Sequence, residues 1–345
     1  MKPQPFPLIL GLAGSVVVAT ALVSTPAALP TGTLDPSAAV PAGAPTGPTA
    51  ANAEPKTPAV TKTPAFRSAG SGEFTFDTGT LRGTLRPGGK SLGLTGAVHT
   101  PTGTPLCQGH GLFSHYRVFT RGKRYGGGAW DWPSESKLRD DGSVEVRWPA
   151  ADGRPFEMWA VYRLSGTATL DLETGVRAVA DIAKFESFLA SYFEKRFTSC
   201  RVHVKGHEKT VGRPGFLAAD PAFGTWLMAP RDADAVRIIQ DGRWKIEPSP
   251  VDWAILPEMD RPIALRRDAA SGVTVVVMAR PEDCFAVATP HETEPHYSLY
   301  LSLFGRDLKA GEEARAHARL LVLVSPGDEQ ILEAYEAFLK AVRRS

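Results

Sequence analysis

Cysteine is scarce in this sequence, with Cys107, Cys200 and Cys284 the only three in 345 residues. An odd number at wide spacing makes neither a disulfide framework nor a paired-cysteine metal site. The expected state is three unpaired, buried thiols, with one long-range bridge and one leftover thiol as the alternative for an exported chain. An excess of one charge is also missing: 39 Lys and Arg face 37 Asp and Glu, for a net charge of +2. No overall field therefore favours nucleic acid or an anionic membrane surface as a partner. There is no Walker loop, no dinucleotide fingerprint after a strand and no Gly-x-Ser-x-Gly elbow. Gly126-Gly127-Gly128 follows basic residues but opens no helix, so it is not a phosphate cradle. No cofactor is called for.

What is present begins with an apolar run, LILGLAGSVVVATALV at 8–23, behind a short start bearing the single basic residue Lys2. Such a run reads as an export signal, either cleaved or kept as an N-terminal membrane anchor, since its length is near the lower limit of the ~17–25 residues that span a bilayer. No cysteine follows it to carry a lipid. Residues 24–71 are dominated by Pro, Thr, Ala and Gly, which cannot bury enough apolar surface to fold and favour an extended spacer. The folded part is expected over 72–345, outside the cytoplasm.

From residue 72 the sequence changes to short alternating runs separated by turn signals such as Pro87-Gly88-Gly89, Asp140-Asp141-Gly142 and Asp241-Gly242. Strands are predicted at 112–121, 144–148, 156–164, 168–179, 185–193, 200–205, 236–240, 263–267, 273–278, 284–289, 296–304 and 314–323. A dozen strands with hardly a helix imply two packed sheets in one large, mostly antiparallel β domain. One helix is signalled at 326–344: Ser325 as its cap, Pro326 in its first turn, Asp328 as in a capping box, and an apolar face of Ile331, Leu332, Tyr335, Phe338, Leu339 and Val342.

Alternation then sorts side chains by face. In FEMWAVYRL, Phe156, Met158, Ala160, Tyr162 and Leu164 share one face, Trp159 and Val161 the other, as in a sheet covered on both sides or lining a cleft. In the next run Leu170, Leu172, Thr174 and Val176 point inward, while Asp171, Glu173, Gly175 and Arg177 form a solvated face. In HYSLYLSLFGRD, Tyr297, Leu299, Leu301 and Leu303 are core; His296, Ser298, Tyr300, Ser302 and Phe304 form a polar, aromatic wall with Arg306 at its exit.

The order LDLETGVRAV, an acidic turn at Asp181, then FESFLASYF resembles the central part of galactose mutarotase-like β-supersandwich proteins, over about a third of the folded part. The resemblance implies a β-supersandwich that binds sugars on the concave face of a large sheet. In mutarotases the matching segment often ends in His-Pro-Tyr-Phe, whose histidine is a general acid. Here it reads Ala190-Ser191-Tyr192-Phe193, so that acid is missing and the resemblance implies the fold more than the reaction.

The segment GHGLFSHYRVFTRGKRYGGGAWDWP supplies donors and flat apolar faces together, the combination that recognises sugars. The expected ligand site comprises Tyr116, Arg117, Arg124, Trp130, Asp131, Trp132, His296, Tyr300 and Arg306, with a carbohydrate or glycan as the partner. Its structural alternative is a loop whose tryptophans close the end of the sandwich. A sugar-active enzyme on the same scaffold, an epimerase or a lyase, would use His296 or Tyr300 as base, with Arg117 or Arg124 holding an anionic sugar. A spacer or docking module of the cell envelope would show no deep polar-aromatic cleft. HETEPH at 291–296 and HVKGHE at 203–208 contain metal-ligand atoms, but Pro295 and Gly206 break the helical spacing that zinc proteases need, and no metal site is assigned.

Overall fold

The computed structural model describes residues 64–343. The apolar run 8–23 and the tether as far as residue 63 lie outside the described residues. Among the described residues, no helix is long and apolar enough to cross a membrane.

Among the described residues, three sheets account for the strands. A five-stranded meander runs in chain order from Arg67–Gly70 to Thr104–Pro105, so pairing begins inside the stretch assigned to the tether, with Phe66 already buried. The nine-stranded sheet has the order Gly215–Ala218, Ser199–Val204, Met259–Arg267, Val273–Ala279, Glu313–Val324, Thr169–Ala178, Phe156–Gly166, Val144–Trp148 and Glu135–Leu138. The seven-stranded sheet has the order Ala254–Ile255, Trp226–Pro230, Cys284–Pro290, Ser298–Leu308, Ile182–Tyr192, Ser114–Thr120 and Lys123–Arg124. Pairing is antiparallel throughout except between Trp226–Pro230 and the short Ala254–Ile255.

The faces follow the period-two rule. Phe156, Met158, Ala160, Tyr162 and Leu164 of the nine-stranded sheet share one apolar core with Leu299, Leu301 and Leu303 of the seven-stranded sheet, as in a sandwich. On the far face of the nine-stranded sheet, Glu173 pairs with Arg315 at 2.6 Å toward solvent, while Asp171 pairs with Arg319 at 2.6 Å in a part-buried site and Gly175 is covered by Trp159, so the expected solvated face is solvated only in part. The C-terminal helix Asp328–Val342 covers another part of that face, setting Ile331, Tyr335 and Phe338 on Ile263, Leu265, Val276 and Met278. A third apolar cluster lies on the seven-stranded sheet, built from its other side chains, among them Phe188, Ala190, Tyr192 and Tyr300.

Four local expectations are corrected. Residues 236–239 belong to a short helix, Ala233–Ile239, with Gln240 as its C-cap, because the Asp232 carboxylate caps its start by accepting from the Ala235 amide at 2.9 Å. The C-terminal helix is capped by Gly327 without a side-chain bond; Ser325 is left-handed at φ 46°, and Asp328 instead pairs with Arg201 at 2.8 Å. Phe304 leaves the polar wall: its own positive φ of 75° breaks the alternation, and its ring packs in the core 5.3 Å from that of Phe185. Tyr297 is also left-handed, at φ 43°, and only flanks the core. All three cysteines are free and buried.

Candidate functional site

The third cluster opens into a cleft of about 280 Å³, lined by Tyr116, Arg117, Phe188, Tyr192, Trp226, Trp244, Ser249, Pro250, Val251, Trp253, His296 and Tyr300. Three neighbouring strands supply the floor. Phe188 and Tyr192 alternate outward on Ile182–Tyr192, and Tyr300 stands beside them on Ser298–Leu308, its ring stacked 4.5 Å from Phe188 and edge-on 5.9 Å from Tyr192. The third strand carries a bulge. Leu189 pairs with His115 and Phe188 with Arg117, so Tyr116 is the extra residue, and both Tyr116 and Arg117 face the cleft. A bulge of this kind re-aims side chains at the cost of one ladder position.

The wall comes from the irregular segment after the short helix. Arg243 is fully buried and bonds Glu186 at 2.9 Å and Asp241 at 2.9 Å, which anchors the turn Arg243–Lys245 to the sheet. Trp244 then packs 4.7 Å from Phe188 and 5.2 Å from Trp253, and Trp253 meets Trp226 at 5.9 Å. The rim residue His296 sits on a turn that another buried cation ties to the neighbouring segments. Arg266 donates to the carbonyls of Phe197 at 3.0 Å, Glu292 at 3.2 Å and Ser298 at 3.3 Å. Glu294 accepts from the His296 amide at 2.9 Å, and its other oxygen lies 2.7 Å from His296 Nδ1.

Burial decides what the phenols can do. It pushes Tyr300 up to about 12 and Tyr192 well above the usual phenol value, so both remain protonated near neutrality and serve as hydrogen-bond donors rather than bases. Tyr300 in turn accepts a 2.7 Å bond from Ser298 Oγ. Arg117 is only 5% exposed, lies over the rings of Tyr116 at 5.0 Å and Trp244 at 5.4 Å, and donates to the Tyr116 hydroxyl at 3.2 Å.

Of the residues expected at the site, the structure brings together Tyr116, Arg117, His296 and Tyr300. Trp130 backs them, stacked on Tyr116 at 4.4 Å with the rings nearly parallel. The others go elsewhere. The Ala129–Asp131 turn sends Trp132 into a separate depression of about 310 Å³, under the Arg154 guanidinium at 4.1 Å. Arg124 borders that depression, its donors taken by the carbonyls of Gly126, Gly127 and Pro248, and reaches the cleft only at its edge, beside Tyr116 and Arg117. Asp131 is exposed and pairs with Lys90 at 3.1 Å, and Arg306 is exposed and pairs with Glu312 at 2.9 Å. Trp226, Trp244 and Trp253 were not expected; the last two sit in a Pro-bearing segment without strand or helix periodicity. A spacer module was expected to present a flat or filled face, and this face is neither. Among the described residues no three His, Cys, Asp or Glu side chains converge as a metal site.

No family model and no curated protein matches the chain. Solved structures similar to it include a galactose mutarotase related enzyme from Lactobacillus acidophilus, 11% identical over 74% of this chain and 99% of that one, TM-score 0.46. A galactose mutarotase-like protein from Lactobacillus casei is 10% identical over 73% of this chain and 100% of that one, TM-score 0.46. An α-N-acetylgalactosaminidase from Bifidobacterium bifidum is 9% identical over 81% of this chain and 37% of that one, TM-score 0.45.

Proposed function

We propose that this is an exported carbohydrate-binding protein that takes a sugar ring into the aromatic cleft on the seven-stranded sheet. The observation that carries the reading is the coexistence, in one cleft, of partly open aromatic faces with buried polar tips. Tyr116, Trp226 and Trp253 are half-buried around the protonated phenols of Tyr192 and Tyr300 and the guanidinium of Arg117. A pyranose presents the matching surface, with C–H patches that stack on rings and hydroxyls that need directed bonds. At about 280 Å³ the cleft is at the small end of ligand pockets, which start at roughly 300 Å³, and suits one ring better than a long chain. The apolar run at 8–23 and the tether behind it support export.

Glycan-array binding followed by calorimetry on the full chain tests the reading. Trp253→Ala and Trp226→Ala are each expected to weaken binding by about tenfold or more, the loss typical of a stacking anchor. Unchanged binding in both variants would remove the cleft from consideration.

One observation favours a second reading, a sugar-active enzyme at the same place. The Glu294 carboxylate, 2.7 Å from His296 Nδ1, orients the imidazole and leaves Nε2 available for proton transfer at the cleft rim. Turnover of free aldoses or uronate polymers that disappears in His296→Gln and Glu294→Gln would establish it. A silent screen leaves binding as the function.

A further inference from the structure

Resting on the carbohydrate reading of this cleft, we infer that the ligand is an acidic sugar, a pyranose bearing a carboxylate that Arg117 receives. The first ground is charge. Among the described residues, the cleft lining contains one permanently charged side chain, Arg117, and no carboxylate. Among the described residues, no acidic side chain lies within salt-bridge distance of Arg117, whose only hydrogen bond goes to the Tyr116 hydroxyl; Nε and Nη1 have no acceptor.

The other buried guanidiniums show what the fold does when an arginine is structural. Arg243 is met by Glu186 and Asp241. Arg266 is surrounded by carbonyls, Arg124 by three of them, and Arg86 by Ser91, Ser134 and the carbonyls of Gly72 and Gly89. Arg154, the one other with an unbonded Nε, borders the neighbouring depression. Arg117 alone lies in the aromatic cleft, fixed between two rings, with its charge unanswered.

The second ground is the sense of the unused hydrogen bonds. Every buried polar side-chain atom of a cleft-lining residue that lacks a partner is a donor: Arg117 Nε and Nη1, Trp244 Nε1 and Trp253 Nε1. A surplus of donors calls for a ligand rich in acceptors. Sugar hydroxyls donate as well as accept, and their protons would find no carboxylate here. An ionised carboxylate only accepts, through two oxygens whose plane matches the guanidinium fork. Stacking on Trp226 or Trp253 would hold the ring while Arg117 reads its acidic substituent.

Calorimetry on the full chain tests this with matched pairs, glucuronate against glucose and galacturonate against galactose, at low and at raised salt. The acid of at least one pair is expected to bind about tenfold or more tightly than its neutral counterpart, with a salt dependence that the neutral sugar lacks. Arg117→Gln should abolish that preference, Arg117→Lys should retain part of it, and Trp253→Ala should weaken acid and neutral sugar alike. Neutral sugars binding as well as acids, or Arg117→Gln weakening both equally in a folded variant, would overturn the inference and leave the carbohydrate reading standing. The salt comparison on the unmodified chain decides the matter even if the variants do not fold. Binding of neither class would overturn both.

Discussion

The guanidinium of Arg243 lies 2.9 Å from the carboxylate of Glu186, and neither side chain is exposed to solvent. Glu186 sits on a central strand of the seven-stranded sheet; Arg243 begins the irregular segment that carries Trp244 and Trp253. Burial pushes the Glu186 carboxyl up, against the pull of Arg243. Removing one partner strands the other in a dry site. Glu186→Gln or Arg243→Met should each cost about 3 kcal/mol in urea unfolding, near the lower end for buried pairs because Asp241 also contacts Arg243. The double variant should lose less than the sum of the singles, and full additivity would show that the pair does not couple segment to sheet.

Trp159 and Gly175 make a second testable pair. They face each other across neighbouring strands, and a Cβ on Gly175 would stand 2.0 Å from the Trp159 ring. The glycine is there because the indole lies flat across its backbone. Gly175→Ala should therefore destabilise the domain by about 1–3 kcal/mol, the range for overpacking, and the cost should largely vanish in a Trp159→Ala background. Thermal unfolding of the four proteins of this cycle measures it.

His115 is fully buried against Trp148, and burial lowers its imidazole from 6.5 to about 3. The unfolded chain then takes up the proton before the folded one does. Stability is accordingly complete above pH 6.5 and is lost as pH falls through 3, by an amount on the order of 5 kcal/mol at 1.36 kcal/mol per unit. Denaturant midpoints should show a shallower slope between pH 6.5 and 4 for His115→Phe than for the unmodified chain. The difference between the two proteins isolates this residue from other titrating groups.

Much of the fold was legible because strands announce themselves by alternation. Leu299, Leu301 and Leu303 against Ser298, Tyr300 and Ser302 gave the core and the cleft side of one strand without reference to any other. Phe304 escaped because a single left-handed residue reverses the alternation, and phenylalanine gives no local sign of it. A third of the cleft was legible: His296 and Tyr300 from alternation along their strand, and Tyr116 and Arg117 from the aromatic and basic content of their segment, since the bulge that turns both toward the cleft breaks the alternation. Phe188 and Tyr192 were available in the alternation of FESFLASY. Trp244 and Trp253 were not, because their place depends on the long-range bond between Arg243 and Glu186, which no local pattern encodes. Trp130 and Trp132 were grouped because they are close in sequence, whereas the turn between them sends one ring toward the cleft and the other to a separate depression.

The central claim is that a sugar ring stacks in the cleft formed by Trp226, Trp253 and Tyr116. Saturation-transfer NMR on the full chain with a bound mono- or disaccharide reports directly which ligand protons touch aromatic side chains. Irradiation of the aromatic envelope should transfer strongly to the C–H protons of one ring face, and Trp253→Ala should reduce that transfer while the chain remains folded. Uniform transfer to both faces, or transfer unchanged in the Trp226→Ala and Trp253→Ala variants, would contradict it.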